Sequence, residues 1–449
     1  MKNFNDKPKT KNHKPGPGFR AELPEPVVYS YGHGRGTLQI VLAVDFSRRI
    51  EFPELSEAVK GLVSSFPILA CRYRLGTLFD RWVPAPEIPL ERIVTVEEAG
   101  DYFAEQENKI VSSFIDYESS WPFRVAALNH GAGSRLLILY PHILGDANAG
   151  LTLAQALGHW LCGKGLPANL PMDRSVRQIF KALGLRSIPS IIGELMREII
   201  KTLFLPVLGR WDAAFRQTQP CSGRMSFHKL SLTGKAHQGF VATCKKHHAT
   251  INDGLTAITA MIASRRAGSA FSGAIYTVNG RRYLKNPGPL IANLSGVNSV
   301  PIRSKSAASL DQLLPLVANR TGEQKQRVPG LAFSLLPMLF FWWMPHAGIR
   351  LVCKWIFGTL ADFNAKRLAA MTNVGSMDEY IAPFGPVVTD AWMFGTFQRG
   401  FHVPIVMASG FRDHLTVCVS AADDLNPQAV AELADEWKTA MAEFEKSAP

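Results

Sequence analysis

The sequence predicts a mixed α/β (α+β) protein built as two lobes around a shared cleft, and three observations carry that expectation. The chain has 449 residues, beyond the ~250–300 residues at which one hydrophobic core stops growing. At roughly 150 residues per domain, this length suits three domains or two large ones sharing a cleft. Strand-like and helix-like segments alternate along the chain. The alternation fades over 209–223, where Gln217, Thr218, Gln219, Pro220 and Ser222 cluster, and then starts again. The expected division is a disordered basic tail over 1–19, an N-terminal lobe over 20–208, a linker over 209–225 and a C-terminal lobe over 226–449.

Each element has its own signal. Residues 38–44 (LQIVLAV) read as a strand, and 53–66 (PELSEAVKGLVSSF) as a helix with Pro53 at its start. Residues 123–128 and 135–140 are two strands across the turn residues 129–133, which predicts a hairpin whose second strand ends at Pro141-His142. The run 149–161 then reads as a helix, so His142 and Asp146 fall on the turn between a buried strand and that helix. In the second half, 226–231 is extended and 233–247 helical, and Thr250 to Asp253 has the composition of an N-cap opening the helix 254–263. Residues 271–279 and 297–302 are strands, 403–409 and 415–420 pair across a turn, and Asn426-Pro427 opens a last helix to Phe444.

Composition narrows the setting. The 49 Lys+Arg against 37 Asp+Glu give a formal charge of +12, which suits an anionic partner: nucleic acid, an acidic membrane face or a phosphate-bearing co-substrate. No nucleic-acid module is recognisable, and no nucleic-acid partner is expected. Cys71, Cys162, Cys221, Cys244, Cys353 and Cys418 are scattered without a CxxC pair, which points to a reducing compartment. No metal site is expected, because Lys245 and Lys246 separate Cys244 from His247 and His248 and no second ligand pair follows. The first residues carry Lys2, Lys7, Lys9, Lys11 and Lys14 with Pro15 and Pro17 and lack an apolar core of signal-peptide type, so the expected location is cytoplasmic. Residues 328–349 run without a formal charge and reach spanning length, yet Pro337, Pro345 and Gly348 interrupt them. With the amphipathic run 188–208, they read as core-packed or interfacial helices and raise peripheral contact with the inner membrane as an expectation.

The chemistry centres on His142-Ile143-Leu144-Gly145-Asp146. An imidazole takes a proton from a hydroxyl or amine near neutral pH when its tautomer and orientation are fixed. An Asp four residues on can brace the turn, and the bland alternative is a turn histidine followed by an Asp that caps the helix. No GxSxG elbow or Cys/His pair supplies a nucleophile.

Residues 135–147 (RLLILYPHILGDA) resemble the strand and turn carrying the HxxxD signature of the CoA-dependent acyltransferase superfamily, which includes condensation domains, wax-ester synthase-like enzymes and alcohol acyltransferases. Four further segments resemble that family in order: 55–74 around Phe66-Pro67-Ile68-Leu69, 250–263 (TINDGLTAITAMIA), 278–303 with Arg281, Arg282 and Asn293, and Thr372-Asn373-Val374-Gly375. The resemblance covers residues from about 22 to 444.

It implies two chloramphenicol-acetyltransferase-like lobes, each a mixed sheet covered by helices, with a tunnel between them and the 371–400 region crossing to the N-terminal lobe. It implies His142 as general base, Asp146 pointing away from substrate and paired with Arg281, whose place Arg282 could take, Gly145 supporting the turn, and Thr372, Asn373 and Asn293 along the tunnel. The implied reaction moves an acyl group from acyl-CoA or an acyl or peptidyl carrier protein thioester to an alcohol or amine, with no tightly bound cofactor; a catalytically silent scaffold is the rival. Three departures bear on donor and acceptor: Pro141 replaces the first of two adjacent histidines, Ala147 replaces the glycine after the Asp, and no DFGWG element stands out.

Overall fold

The structure is a computed structural model that describes residues 18–32, 38–86, 89–170, 173–184, 189–193, 196–197, 200, 210–216, 225–303, 309–327, 341–356, 368–397, 403–422 and 425–444. Its strands, in chain order, are β1 Phe19–Arg20, β2 Leu38–Phe46, β3 Cys71–Arg74, β4 Arg81–Pro84, β5 Val94–Glu98, β6 Arg124–His130, β7 Gly133–Pro141, β8 Ser226–Leu232, β9 Phe271–Asn279, β10 Ser295–Arg303, β11 Ala369–Ser376, β12 Val388–Phe397, β13 Ile405–Phe411 and β14 His414–Ala421. The longer helices are α1 Pro24–Gly32, α2 Phe52–Ser65, α3 Phe103–Val111, α4 Ala147–Leu161, α5 Arg177–Leu183, α6 Gly234–Lys246, α7 Ile251–Ala267, α8 Leu310–Lys325, α9 His346–Ile356 and α10 Pro427–Ala442.

Two mixed sheets form the two lobes. The N-terminal sheet has the order β12-β2-β7-β6-β5 and the C-terminal sheet β10-β9-β11-β13-β14-β8, with a small β1-β4-β3 sheet beside the first. β7 sits between β2 and β6 and is covered on both faces, which is why it reads as a continuous apolar run rather than an alternating one. Leu136, Ile138 and Tyr140 enter one core, while Leu137 and Leu139 enter another on the opposite face. In α2, Leu55, Ala58, Val59 and Leu62 recur at helical spacing and are all buried. Each fully buried leucine of this kind contributes about 2 kcal/mol relative to exposure.

The lobes are tied by one strand. β12 lies between two C-terminal-lobe strands in sequence, yet it pairs antiparallel with β2, from Val388 opposite Phe46 to Phe397 opposite Leu38. At its outer end Asp390 meets Lys229 of β8 at 2.5 Å and His414 of β14 at 2.8 Å. Trp392 packs in the core shared with Cys418 and Phe227. The 371–400 region is thus divided, with β11 in the C-terminal sheet and β12 in the N-terminal one.

Several expectations are redrawn. Phe19, assigned to the tail, pairs with Trp82, and residues 1–17 lie outside the described residues. Trp211 and Phe215, inside the expected linker, are buried in the C-terminal core because two large aromatic rings stabilise far more inside it than in water. Of the apolar run 328–349, residues 328–340 lie outside the described residues. The remainder leads into α9, whose Ile349 and Cys353 pack with Leu23 while Leu351 and Trp355 are exposed. Much of 188–208 also lies outside, and the described Ile192, Met196 and Ile200 are exposed at four-residue spacing. Among the described residues no helix is long and apolar enough to cross a membrane.

Candidate active site

The site is assembled where β7 ends. Pro141 is the last β7 residue, paired with Gln39, and the chain then turns through Ile143 and Leu144 into α4. His142 is anchored by its own amide, which donates to the Leu38 carbonyl at 2.9 Å. The turn is tight enough to require Gly145: a Cβ there would lie 2.4 Å from Cβ of Ala149. Asp146 is the N-cap of α4, its Oδ1 accepting from the Ala149 amide at 3.2 Å.

Asp146 does more than cap. Arg281, in the helical turn just after β9, reaches both carboxylate oxygens at 2.9 and 2.8 Å, and Oδ2 also accepts from the Leu294 amide and the Ser295 hydroxyl, each at 2.9 Å. Burial alone would raise the Asp146 carboxyl, but Arg281 and these donors outweigh it and hold it below its ordinary value. The capping reading and the ion-pair reading are therefore both true of this one residue. Arg281 is buried and its Nη2 donates to the carbonyls of Leu290 and Ala292, whereas Arg282 is exposed against Tyr283. Tyr140 closes the turn by donating to the Asp146 carbonyl at 2.9 Å.

The imidazole faces the other lobe. His142 Nδ1 lies 3.0 Å from Oδ1 of Asn293, and Asn293 Nδ2 donates to the Ile143 carbonyl at 3.1 Å. The second bond orients the amide, so Oδ1 is the atom offered to the ring and Nδ1 carries the proton. Nε2 is left as the basic nitrogen. Asn293, expected along the tunnel, thus serves as the partner of the ring.

His142 borders a cavity of about 80 Å³ between the lobes, with room for a few water molecules. Thr372 and Asn373 of β11 line it, as do Thr277 and Asn279 of β9 and the apolar Leu38, Ile40, Ile405 and Met407. Asn373 Oδ1 accepts from the Gly375 amide at 3.0 Å, which leaves its NH2 as the donor end. Among the described residues no His, Cys, Asp and Glu cluster suits a metal ion.

The architecture has solved counterparts. The first condensation domain of the calcium-dependent antibiotic synthetase, in complex with a substrate analogue, superposes with a TM-score of 0.70 at 12% identity over 95% of this chain and 96% of that one. The chain has the condensation-domain fold. A trichothecene 15-O-acetyltransferase from Fusarium sporotrichioides is similar at a TM-score of 0.67 and 12% identity, covering 96% of this chain and 95% of that one. Polyketide synthase associated protein 5 from Mycobacterium tuberculosis is similar at 0.63 and 13%, covering 96% and 99%. No family model and no curated protein matches the sequence.

Within this condensation fold one buried pair has no counterpart in the sequence reading. Arg174 Nε donates to the Ile291 carbonyl at 2.8 Å and its Nη2 to the Leu144 carbonyl at 3.0 Å. Nη2 also lies 2.7 Å from Glu25 of α1. Arg174 follows Pro171-Met172-Asp173 in a segment without periodicity, and no local pattern could have singled it out.

Proposed function

We propose that the chain is an acyltransferase that moves an acyl group from a thioester, on CoA or a phosphopantetheinyl carrier protein, to a hydroxyl or amine of a small lipophilic acceptor. The observation that carries this reading is His142 at the inter-lobe cavity with Nδ1 engaged by Asn293 and Nε2 available as base. As the acceptor oxygen or nitrogen attacks the thioester carbonyl, Nε2 takes its proton. The tetrahedral oxyanion then collapses, the C–S bond breaks, and the departing thiolate recovers the proton from the imidazolium. The Thr372 hydroxyl and the Asn373 amide are the donors offered to the oxyanion.

Burial pushes the Cys71 thiol up to about 11 and those of Cys244, Cys353 and Cys418 up to about 12, which makes these four poor nucleophiles. The apolar side of the cavity suits a lipophilic substrate. The reading includes a reducing, cytoplasmic setting with peripheral contact at an anionic membrane face, supported by exposed Trp342, Trp343, Leu351 and Trp355 beside Lys354.

The test is incubation with a panel of acyl-CoA and acyl-carrier thioesters against alcohols and amines, read by mass spectrometry with His142→Ala as control. A new ester or amide that the variant does not form supports the reading. Release of free thiol without product, or full turnover by His142→Ala, overturns it, and no reaction with any pair favours a catalytically silent scaffold.

A further inference from the structure

We infer that Arg174 is a positioning residue for the His142 turn, its guanidinium setting the separation between the loop that carries His142 and the loop that carries Asn293. The inference rests on the proposed role of His142 only for its kinetic consequences. Leu144 lies two residues after His142, and Ile291 two residues before Asn293. Arg174 joins the carbonyls of these two residues through adjacent nitrogens of one rigid, planar fork. It is 7% exposed, and its charge is answered by Glu25, itself 2% exposed and held by the Trp82 indole at 2.9 Å and the Glu22 amide at 3.0 Å.

The arrangement complements the Arg281 contacts. Arg281 takes the carbonyls of Leu290 and Ala292, and Arg174 takes that of Ile291 between them. Three consecutive carbonyls of the Asn293 loop are therefore held by two guanidinium groups, and each guanidinium also grips the His142 turn, one at Asp146 and the other at Leu144. A charge present only to neutralise Glu25 would need neither backbone contact. A lysine could keep the pairing with Glu25 but would offer a point charge where two carbonyls are bridged at a fixed spacing.

Two variants test this: Arg174→Lys, and the double variant Arg174→Met with Glu25→Gln, which removes both charges together and leaves neither buried and unpaired. Hydrogen exchange over 142–146 and 290–294, and the side-chain nitrogen resonances of His142, assigned by difference from His142→Ala, are read alongside melting temperature. In the double variant we expect melting within a few degrees of the parent, at least tenfold faster exchange in both loops and a displaced His142 signal. For a transferred substrate we expect kcat to fall tenfold or more with KM within twofold, and no rescue by Arg174→Lys. Parental exchange and an unmoved His142 signal in either variant overturn the inference, as does parental kcat. Should the double variant fail to fold, Arg174→Lys decides alone. Should the parent transfer nothing, the exchange and resonance measurements still decide, and that failure belongs to the proposed reaction.

Discussion

Asn293, carried by the C-terminal lobe, fixes the tautomer of His142, carried by the N-terminal lobe, across 3.0 Å. His142 and its orienting group thus belong to loops of different lobes, and the ring is aimed only while the lobes keep their relation. Asn293→Ala is expected to lower kcat by roughly 10- to 100-fold, the scale at which losing an orienting partner costs activity. Asn293→Asp places a carboxylate against the ring, favours the imidazolium, and is expected to move the acid limb of the rate profile to higher pH. Steady-state rates between pH 5 and 9 check both.

Asp146→Ala leaves the Arg281 guanidinium buried with two carbonyl partners and no anion. Removing one partner of a buried pair costs about 3–5 kcal/mol, and chemical denaturation should read a loss of that size. Adding Arg281→Met should return much of the stability without restoring transfer, because the donors and acceptors that shape the turn are still missing.

Gly145→Ala puts a methyl group 2.4 Å from the Ala149 side chain, in a turn held at both ends. Overpacking of this kind costs about 1–3 kcal/mol. Ala149→Gly in the same chain should recover part of it, and a double-mutant cycle on melting temperatures would show coupling between two sites four residues apart.

Stability should depend on pH in two opposite ways. Glu25 is pushed up from 4.5 to about 7, first by burial, against the pull of Arg174 and the Trp82 indole. The folded state therefore binds this proton more tightly than the unfolded one. Its contribution is fully present below pH 4.5 and is lost as pH rises toward 7, an effect of roughly 3 kcal/mol. Asp80, Asp146 and Asp390 run the other way: burial raises each, but their hydrogen-bond and cationic partners hold all three below 3.8. Their contribution is present above that value and is lost as pH falls through the folded values. Burial also raises Glu107, against the pull of Arg135, so denaturant titrations from pH 3 to 8 should show an acid loss that persists in Glu25→Gln and a decline above pH 4.5 that is reduced in it.

Much of the scaffold was legible because its signals are local. The 129–133 turn residues announced the β6–β7 hairpin, and Thr250 with Asp253 forms the capping box that opens α7. The turn from His142 to Asp146 was legible for the same reason: a strand end, a glycine and a cap lie within five residues. What escaped was set by contacts between distant segments. β5 pairs in parallel with β6 and has no hairpin to announce it, and the crossing of β12 to pair with β2 was expected only from the family resemblance, not from any local pattern. The Asn293 bond to His142 spans 151 residues and that of Arg174 to Ile291 spans 117, so neither is written in any periodicity.

The β12 crossing also sets an order of events at the ribosome. β2 is complete at Phe46, but its partner on that edge ends at Phe397. Until that strand emerges, the first lobe exposes an open, apolar sheet edge, which is a template for pairing with other chains. During synthesis the C-terminal lobe has β8 to β11 available before the N-terminal sheet can close. The two lobes meet through a shared core and the first sheet closes only with a strand made late in the chain, so a nascent chain stalled before residue 388 should be the form most in need of a chaperone.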